Sequence, residues 1–367
     1  MHEGSDPRLF WIALNNVPGV GRATFRKLVK RFGSPEQALR APAAELAEMD
    51  GLPAKVAAAI ASFDGYREAE QELARAREAG VAIITADDAA YPENLRAVPD
   101  APLYVYLLGS MLPADRDAVA IVGTRRPTFY GKYTARKIAA DLAAAGITIV
   151  SGMARGIDTE AHRGALAAGG RSIAVLGCGI DTAYPPENRG LMQELVRSGA
   201  VVTEYAFGTK PEAGYFPARN RIISGLSCGT VIVEATGDSG SLITAQYSLE
   251  QQRYVFAVPG NIVSAASRGA NSLIKKGALL VESAADILAG LGRGSAGQRQ
   301  RAARPLPELT ASEHDVLRRL TDEPKHIDLL LNESSLAPGA LGGVLMNLEL
   351  KGLAKQLPGK YFVREIG

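Results

Sequence analysis

Between about residues 66 and 290 the chain alternates short apolar runs with amphipathic helical patterns, and this alternation narrows the possible folds more than any other feature. The strand-like runs are Val81–Thr85, Leu103–Leu108, Val119–Gly123, Thr148–Ser151, Ser172–Leu176, Val201–Glu204, Gly229–Glu234, Tyr254–Ala257 and Leu279–Val281. Helical patterns such as Gly131–Ala145, Asp158–Ala168 and Ser241–Gln252 lie between most of the later ones. Such alternation predicts an α/β fold with a doubly wound, mostly parallel sheet and helices on both faces. In sheets of this kind ligands bind in the crevice beyond the carboxyl ends of the strands.

The 367 residues leave room for further domains at both ends. Residues 1–65 read as helical, and Val17–Gly33 places a Gly-Val-Gly turn before a helix bearing Arg22, Arg26, Lys27, Lys30 and Arg31. A weaker copy of the pattern, Met49–Ile60, follows. Two readings stand side by side: a SAM-like helix-hairpin-helix pair touching DNA, or a helical interaction domain with solvated cations. Residues 291–307 lack apolar periodicity and are rich in Gly, Pro and Arg, which marks a flexible linker. Residues 308–367 suggest a winged helix: helices at Ala311–Leu320, His326–Leu331 and Pro338–Lys351, then a hairpin through Lys360–Val363. Leu341, Val344, Leu345 and Leu348 form the core stripe of its third helix, leaving Gly342, Gly343, Met346, Asn347 and Glu349 outward. That face is a poor groove reader, so a protein partner or a second copy of the chain is expected there.

Lys and Arg total 41 against 39 Asp and Glu, so a site for a polyanion has to be a local patch. The run Phe216–Ser227, FPARNRIISGLS, supplies one. Pro217 suits a first helical turn, and the helix start offers free N–H groups and the positive end of the dipole. An ordinary amphipathic helix with solvated arginines is the plain alternative. Three post-strand loops add glycines and hydroxyls: Gly123, Thr124 and Arg125 in the first, Ser151 and Gly152 in the second, Ser239, Gly240 and Ser241 in the third. With Lys210, Arg219, Asn220, Arg221 and Ser224 they predict a wide anion-binding crevice. Phe216, Tyr215, Phe129 and Tyr130 are candidates for stacking on bases. Positions 219 and 221 lie about 200° apart on a helix, so one arginine faces the ligand while the other pairs with a carboxylate such as Glu204 or Glu234.

Other chemistry is weakly supported. Gly123 to Lys132 is too long for a P-loop, and Tyr133 stands where magnesium needs a hydroxyl residue. Gly177-Cys178-Gly179 lacks the third glycine of a dinucleotide fingerprint. The 4 histidines are scattered, so no metal site is expected, and no cofactor. Ser151 and Ser224 have no evident triad partners. Cys178 and Cys228 lack metal-ligand spacing and read as buried thiols of a reducing cytosol. With no signal peptide or spanning apolar run, the expected location is cytoplasmic and away from the membrane.

The motifs VGTRRPTFYG, SGMARGIDTEAHRGAL, FPARNRIISGLS, GSLITAQ, VPGNI and GANSLIKKGA, in this order, resemble those of the DNA-processing protein A (DprA/Smf) family. The resemblance covers most of the chain. It implies an extended Rossmann-like domain, a helical N-terminal domain and a winged-helix C-terminal domain. It also implies a protein of natural transformation that protects incoming single-stranded DNA and loads RecA recombinase onto it, without chemical turnover. The family's Gly-Ser-Arg turn falls on Gly123, Thr124 and Arg125, its basic loop on the region of Lys210, and its Arg-Asn-Arg motif on Arg219, Asn220 and Arg221. A homodimer through the Rossmann-like domain is implied, with Gly269–Leu280 the segment to consider first. A secondary duplex contact is expected of the N-terminal domain. The competing reading is a Rossmann-like nucleotide enzyme of the phosphoribohydrolase kind. Against it, the stretch from Asp238 to Gln246 carries no glutamate where such enzymes have their catalytic one.

Overall fold

A computed structural model describes residues 6–293, 309–321, 324–334 and 336–364. Most of the expected linker, 291–307, lies outside the described residues. The chain divides into two compact units, the first ending at residue 296 and the second beginning at 297.

The first unit is built on nine strands: β1 (Ala82–Thr85), β2 (Tyr104–Gly109), β3 (Ala118–Val122), β4 (Thr148–Ser151), β5 (Ser172–Val175), β6 (Ala200–Thr203), β7 (Gly229–Ile232), β8 (Tyr254–Ala257) and β9 (Leu279–Leu280). They run in the order β1-β2-β6-β5-β4-β3-β7-β8-β9. From β6 through to β9 all neighbours pair in parallel, while β1, β2 and β6 pair antiparallel. The expected α/β fold is therefore present, with strand ends displaced by at most two residues.

Strand β3 shows why the sheet is covered on both sides. Ala118, Ala120 and Val122 belong to one core, with Ile222, Ile223 and Ala245. Val119 and Ile121 point the other way into a second core, with Ile138, Leu142 and Ile157. The chain leaves β3 in one direction through β4, β5 and β6, then returns to the other side of β3 for β7. That reversal is a topological switch point, and the loops after β3 and β7 part there.

The N-terminal helices are not a free-standing appendage. Their apolar residues, among them Phe10, Trp11, Phe25 and Leu28, share one cluster with Tyr104 and Tyr106 of β2 and Leu176 after β5. Arg26 in the helix Arg22–Phe32 donates to the carbonyls of Pro99 and Ala101.

In the second unit the helices Ala311–Arg319, Ile327–Glu333 and Pro338–Leu350 pack on a sheet of β10 (Lys325–His326), β12 (Tyr361–Arg364) and β11 (Ala354–Leu357), in that order. His326 opens the helix as expected, its side chain accepting from Asp328 N–H, and it also pairs with Tyr361 in a third strand. A two-residue strand carries too little periodicity to announce itself. Leu341, Leu345 and Leu348 are buried as expected, Val344 is half-buried, and Gly343, Met346, Asn347 and Glu349 face outward.

Because Leu28 is fully enclosed in the shared cluster, Leu28→Ala should cost about 2–5 kcal/mol. Calorimetry should show the melting of the whole first unit moving down. A separate early transition would mean that the helices melt on their own.

Candidate nucleic-acid interface

The switch point opens into a cleft of 770 Å³. Its lining includes Gly123, Thr124, Arg125 and Arg126 after β3, Phe216, Arg219 and Asn220 from the helix Tyr215–Gly225, and Ser239, Gly240 and Ser241 after β7. Three segments far apart in the chain are thus brought to one place. Thr124 N–H donates to the Glu234 carbonyl at 2.7 Å, tying the first loop to the third.

One helix N-terminus by the cleft is already occupied by an internal carboxylate, and a second carboxylate takes up the N–H groups of the loop after β4. Glu234, buried, accepts from Thr128 N–H at 2.9 Å and from its hydroxyl at 2.6 Å, at the start of the helix Phe129–Ala144. A Cβ at Gly131 would lie 2.2 Å from Glu234 Oε2, so only glycine fits there. Glu234 therefore caps a helix and, among the described residues, pairs with no arginine, contrary to the expectation. Asp158, at the start of the helix Ile157–Ala167, accepts from the N–H groups of Gly152 at 3.1 Å and Ala154 at 3.4 Å. Burial pushes its carboxyl from the ordinary 3.8 up to about 6, against the pull of Arg219. The start of the helix Gly240–Glu250 is closed only by the short Ser239 side chain, which accepts from Ser241 N–H.

The two arginines of the motif divide as their helical spacing implies. Arg219 faces the cleft side but is 3% exposed, donating to the carbonyls of Gly152 at 2.8 Å and Val175. A side chain at Gly152 would collide with Arg219 Nη2 and Asp158 Oδ2, at 2.6 and 2.7 Å from its Cβ. Arg221, 2% exposed, lies on the other side of the helix and does not line the cleft. Its Nη2 donates to Glu204 Oε2 at 2.5 Å, and its Nε lies 3.3 Å from Asp100 Oδ2. Glu204 also receives Arg22 at 3.3 Å, so this network joins the motif helix to the N-terminal helices.

The cations presented to a ligand are Arg125 and Arg126, which carry the open side of the loop after β3. The Arg125 guanidinium sits 5.2 Å from the centre of the Phe216 ring, which leans on Tyr184 at 5.4 Å and 31°. Lys210 is exposed beside the lining residue Pro211. Asn220 bridges two walls, donating to the Gly240 carbonyl at 3.2 Å.

Other expected residues lie elsewhere. Ser151 and Ser224 are fully buried. The Ser151 hydroxyl donates to the Ile121 carbonyl at 2.6 Å, and that of Ser224 to Gln251 Oε1 at 2.7 Å, so both brace the core instead of reaching the cleft. Tyr215 stacks on Tyr205 at 4.5 Å, and Tyr130 donates to the Pro259 carbonyl; neither lines the cleft, nor does Phe129. Tyr184 also lines it, although no local pattern in the sequence ties it to the motif loops.

Residues 82–292 match the model of the family described as DNA recombination-mediator protein A. Residues 300–360 match the DprA winged helix domain and 12–63 the SAM-like helix-hairpin-helix tandem. The fold of the first helices is thus that of a helix-hairpin-helix tandem. Protein Smf of Synechocystis sp. is 35% identical across 97% of this chain and 98% of its own. Protein Smf of Escherichia coli is 37% identical across 86% and 85%. Among solved structures, DNA processing protein A (DprA) from Streptococcus pneumoniae gives a TM-score of 0.68 at 33% identity, covering 77% of this chain and 97% of its own. DNA processing protein A from Helicobacter pylori, described for its single-stranded DNA binding mode, gives 0.53 at 32%, covering 58% and 96%.

The buried charges set two expectations for stability. Arg221→Ala should destabilise the first unit by about 3 kcal/mol in urea denaturation, because Glu204 loses its closest cation. Asp158 has a raised folded pKa, so its contribution to stability is full below about pH 4 and is lost as pH rises through about 6. Asp158→Asn should remove that pH dependence, which amounts to about 3 kcal/mol between the two limits. Denaturation curves at about pH 4 and about pH 7 compare the two proteins; the same pH dependence in both would mean that Asp158 titrates normally.

Proposed function

The chain belongs to the DNA recombination-mediator protein A family, and we propose that it binds single-stranded DNA in the cleft at the switch point and hands the strand to RecA recombinase in natural transformation. What carries this reading is the presentation of Arg125 and Arg126 beside Phe216 and the start of the helix Gly240–Glu250. Guanidinium groups hold phosphates, backbone N–H groups at a helix start add donors, and an aromatic face takes a base of any identity. The described binding of single-stranded DNA by the Helicobacter pylori relative supports it further. Gly123, Thr124, Arg125, Asn220, Gly240 and Ser241 form the track, with Lys210 at its rim. Arg219 and Gly152 hold the floor in shape.

In this reading the protein acts by binding, without turnover or cofactor, in the cytoplasm. The Rossmann-like domain, residues 66–290, carries the site. It also forms a homodimer along β9, an edge strand whose Leu279 and Leu280 are exposed at 43% and 50%. The helix-hairpin-helix segment, residues 1–65, adds a weak duplex contact. Arg22 and Arg26 are engaged with Glu204 and with the Pro99 and Ala101 carbonyls, which leaves Lys27, Lys30 and Arg31 to make it. Residues 308–367 meet a protein partner, since the outward face of the helix Pro338–Leu350 offers Met346 and Leu350 and no cation.

A mobility-shift assay with matched single- and double-stranded oligonucleotides tests the main claim: retention of the single strand is expected, and equal indifference to both would refute it. Arg125→Ala should weaken single-strand binding by about 1–3 kcal/mol, alike for unrelated sequences. Lys210→Ala should lower the slope of log K against log salt by about 0.7, the share of a single phosphate. A chain ending near Gly290 should bind single strands within roughly tenfold of the full chain, about 1.4 kcal/mol.

A further inference from the structure

Between Glu250 and Glu282 the chain holds no carboxylate but four cations, Arg253, Arg268, Lys275 and Lys276. This stretch forms β8, a connection over residues 258–267, the helix Arg268–Lys275 and β9. Ala270 of the helix is buried in one of the cores that cover the sheet, with Leu273 and Ile274 packed against it. The other side of the helix therefore faces outward. Arg268 and Lys275, two turns apart, share that side at about 10 Å along the axis. Both are exposed, as is Lys276, and none of the three pairs with a carboxylate among the described residues.

The connection ahead of the helix is firmly braced. The Asn271 side chain brackets Gly260, with Nδ2 donating to its carbonyl at 2.9 Å and Oδ1 accepting from its N–H at 3.1 Å. Tyr130 donates to the Pro259 carbonyl at 3.0 Å, and Asn261 Oδ1 accepts from Val263 N–H at 3.1 Å. On this braced turn Ile262 and Val263 are 87% and 79% exposed. Two neighbouring β-branched side chains thus forgo the burial that drives folding. The connection also reaches the cleft, because Ala266 lines it and accepts from Ala235 N–H at 2.8 Å, just after β7.

We propose that this surface carries the single strand onward from the cleft, with phosphates on Arg268 and Lys275 and an unstacked base against Ile262 and Val263; the inference rests on the cleft reading above. A single strand offers anionic phosphates and apolar base faces together, and this surface offers cations and apolar side chains together. A duplex keeps its base faces stacked inside and would leave Ile262 and Val263 in water. Of the carboxylates that line the cleft, Asp158 is buried and Asp238 accepts from the Thr236 hydroxyl at 2.7 Å. Neither pairs with these cations, so their charge is available to phosphates.

The test uses the full-length protein and labelled thymidine oligonucleotides of about 6 and about 25 nucleotides, one to fill the cleft and one to overrun it. Fluorescence anisotropy should show the double variant Arg268→Ala, Lys275→Ala binding the longer strand about tenfold more weakly than the parent. The slope of log K against log salt should fall by about 1.4, the share of two phosphates. The shorter strand should bind both proteins alike. In Ile262→Trp the new indole should be quenched by the longer strand and not by the shorter, against the constant signal of the buried Trp11. Light scattering should give the double variant the mass of the parent. Equal affinity of parent and double variant for the longer strand, equal weakening at both lengths, no quenching, or a lower mass would overturn the proposal. A lower mass would make the surface an interface between copies of this chain. If the parent retains neither strand, the cleft reading itself falls, and this inference with it.

Discussion

Two guanidinium groups are buried on opposite sides of one helix, and the shape of the cleft depends on how their charge is met. A charge taken out of water has to find carbonyls or carboxylates. Arg219 finds the carbonyl ends of β4 and β5, so the motif helix is fastened across the carboxyl edge of the sheet. Arg221 finds Glu204 and Asp100, and through Glu204 it meets Arg22. The helix is thereby held from both sides, and Asn220, between the two anchors, is held with it; its amide reaches the first residue of the helix Gly240–Glu250.

The same accounting decides which parts of the cleft can accept a phosphate. Every helix start there carries partial positive charge, but Glu234 already occupies one of them from within, and Asp158 takes up the N–H groups of the loop after β4. A polyanion would have to displace a buried carboxylate to use either. The loop after β3 and the start of the helix after β7 are the places where donors and cations remain presented outward. They flank the switch point, so the topology of the sheet and the electrostatics of its loops lead to the same position.

The helix-hairpin-helix segment illustrates how tertiary contacts redirect side chains. Its basic helix carries five cations within ten positions, from Arg22 to Arg31. Arg22 and Arg26 face the sheet unit and are used to hold it, since positions four apart share a face. The segment therefore contributes apolar packing and ion pairs to the domain that bears the cleft.

Much of this is legible in the sequence because it is local. Apolar runs closed by Gly or Ser mark the strands, and β4 and β8 fall on the residues that the pattern predicts. The angle of about 200° between Arg219 and Arg221 follows from helix geometry alone, and it separates them in the structure as it must. The sequence also determined that the cations are local, since the chain as a whole is nearly neutral. What only the tertiary structure decided is where each polar group spends its hydrogen bonds. Ser151 and Ser224 read as site residues but satisfy Ile121 and Gln251, and Glu234 reads as a partner for arginine but caps a helix 106 residues away in the chain. Tyr184 reaches the cleft from a segment with no motif of its own. Periodicity specifies which side of an element a residue occupies, whereas its partner across the core depends on how the elements pack, and that is written in no single stretch of the chain.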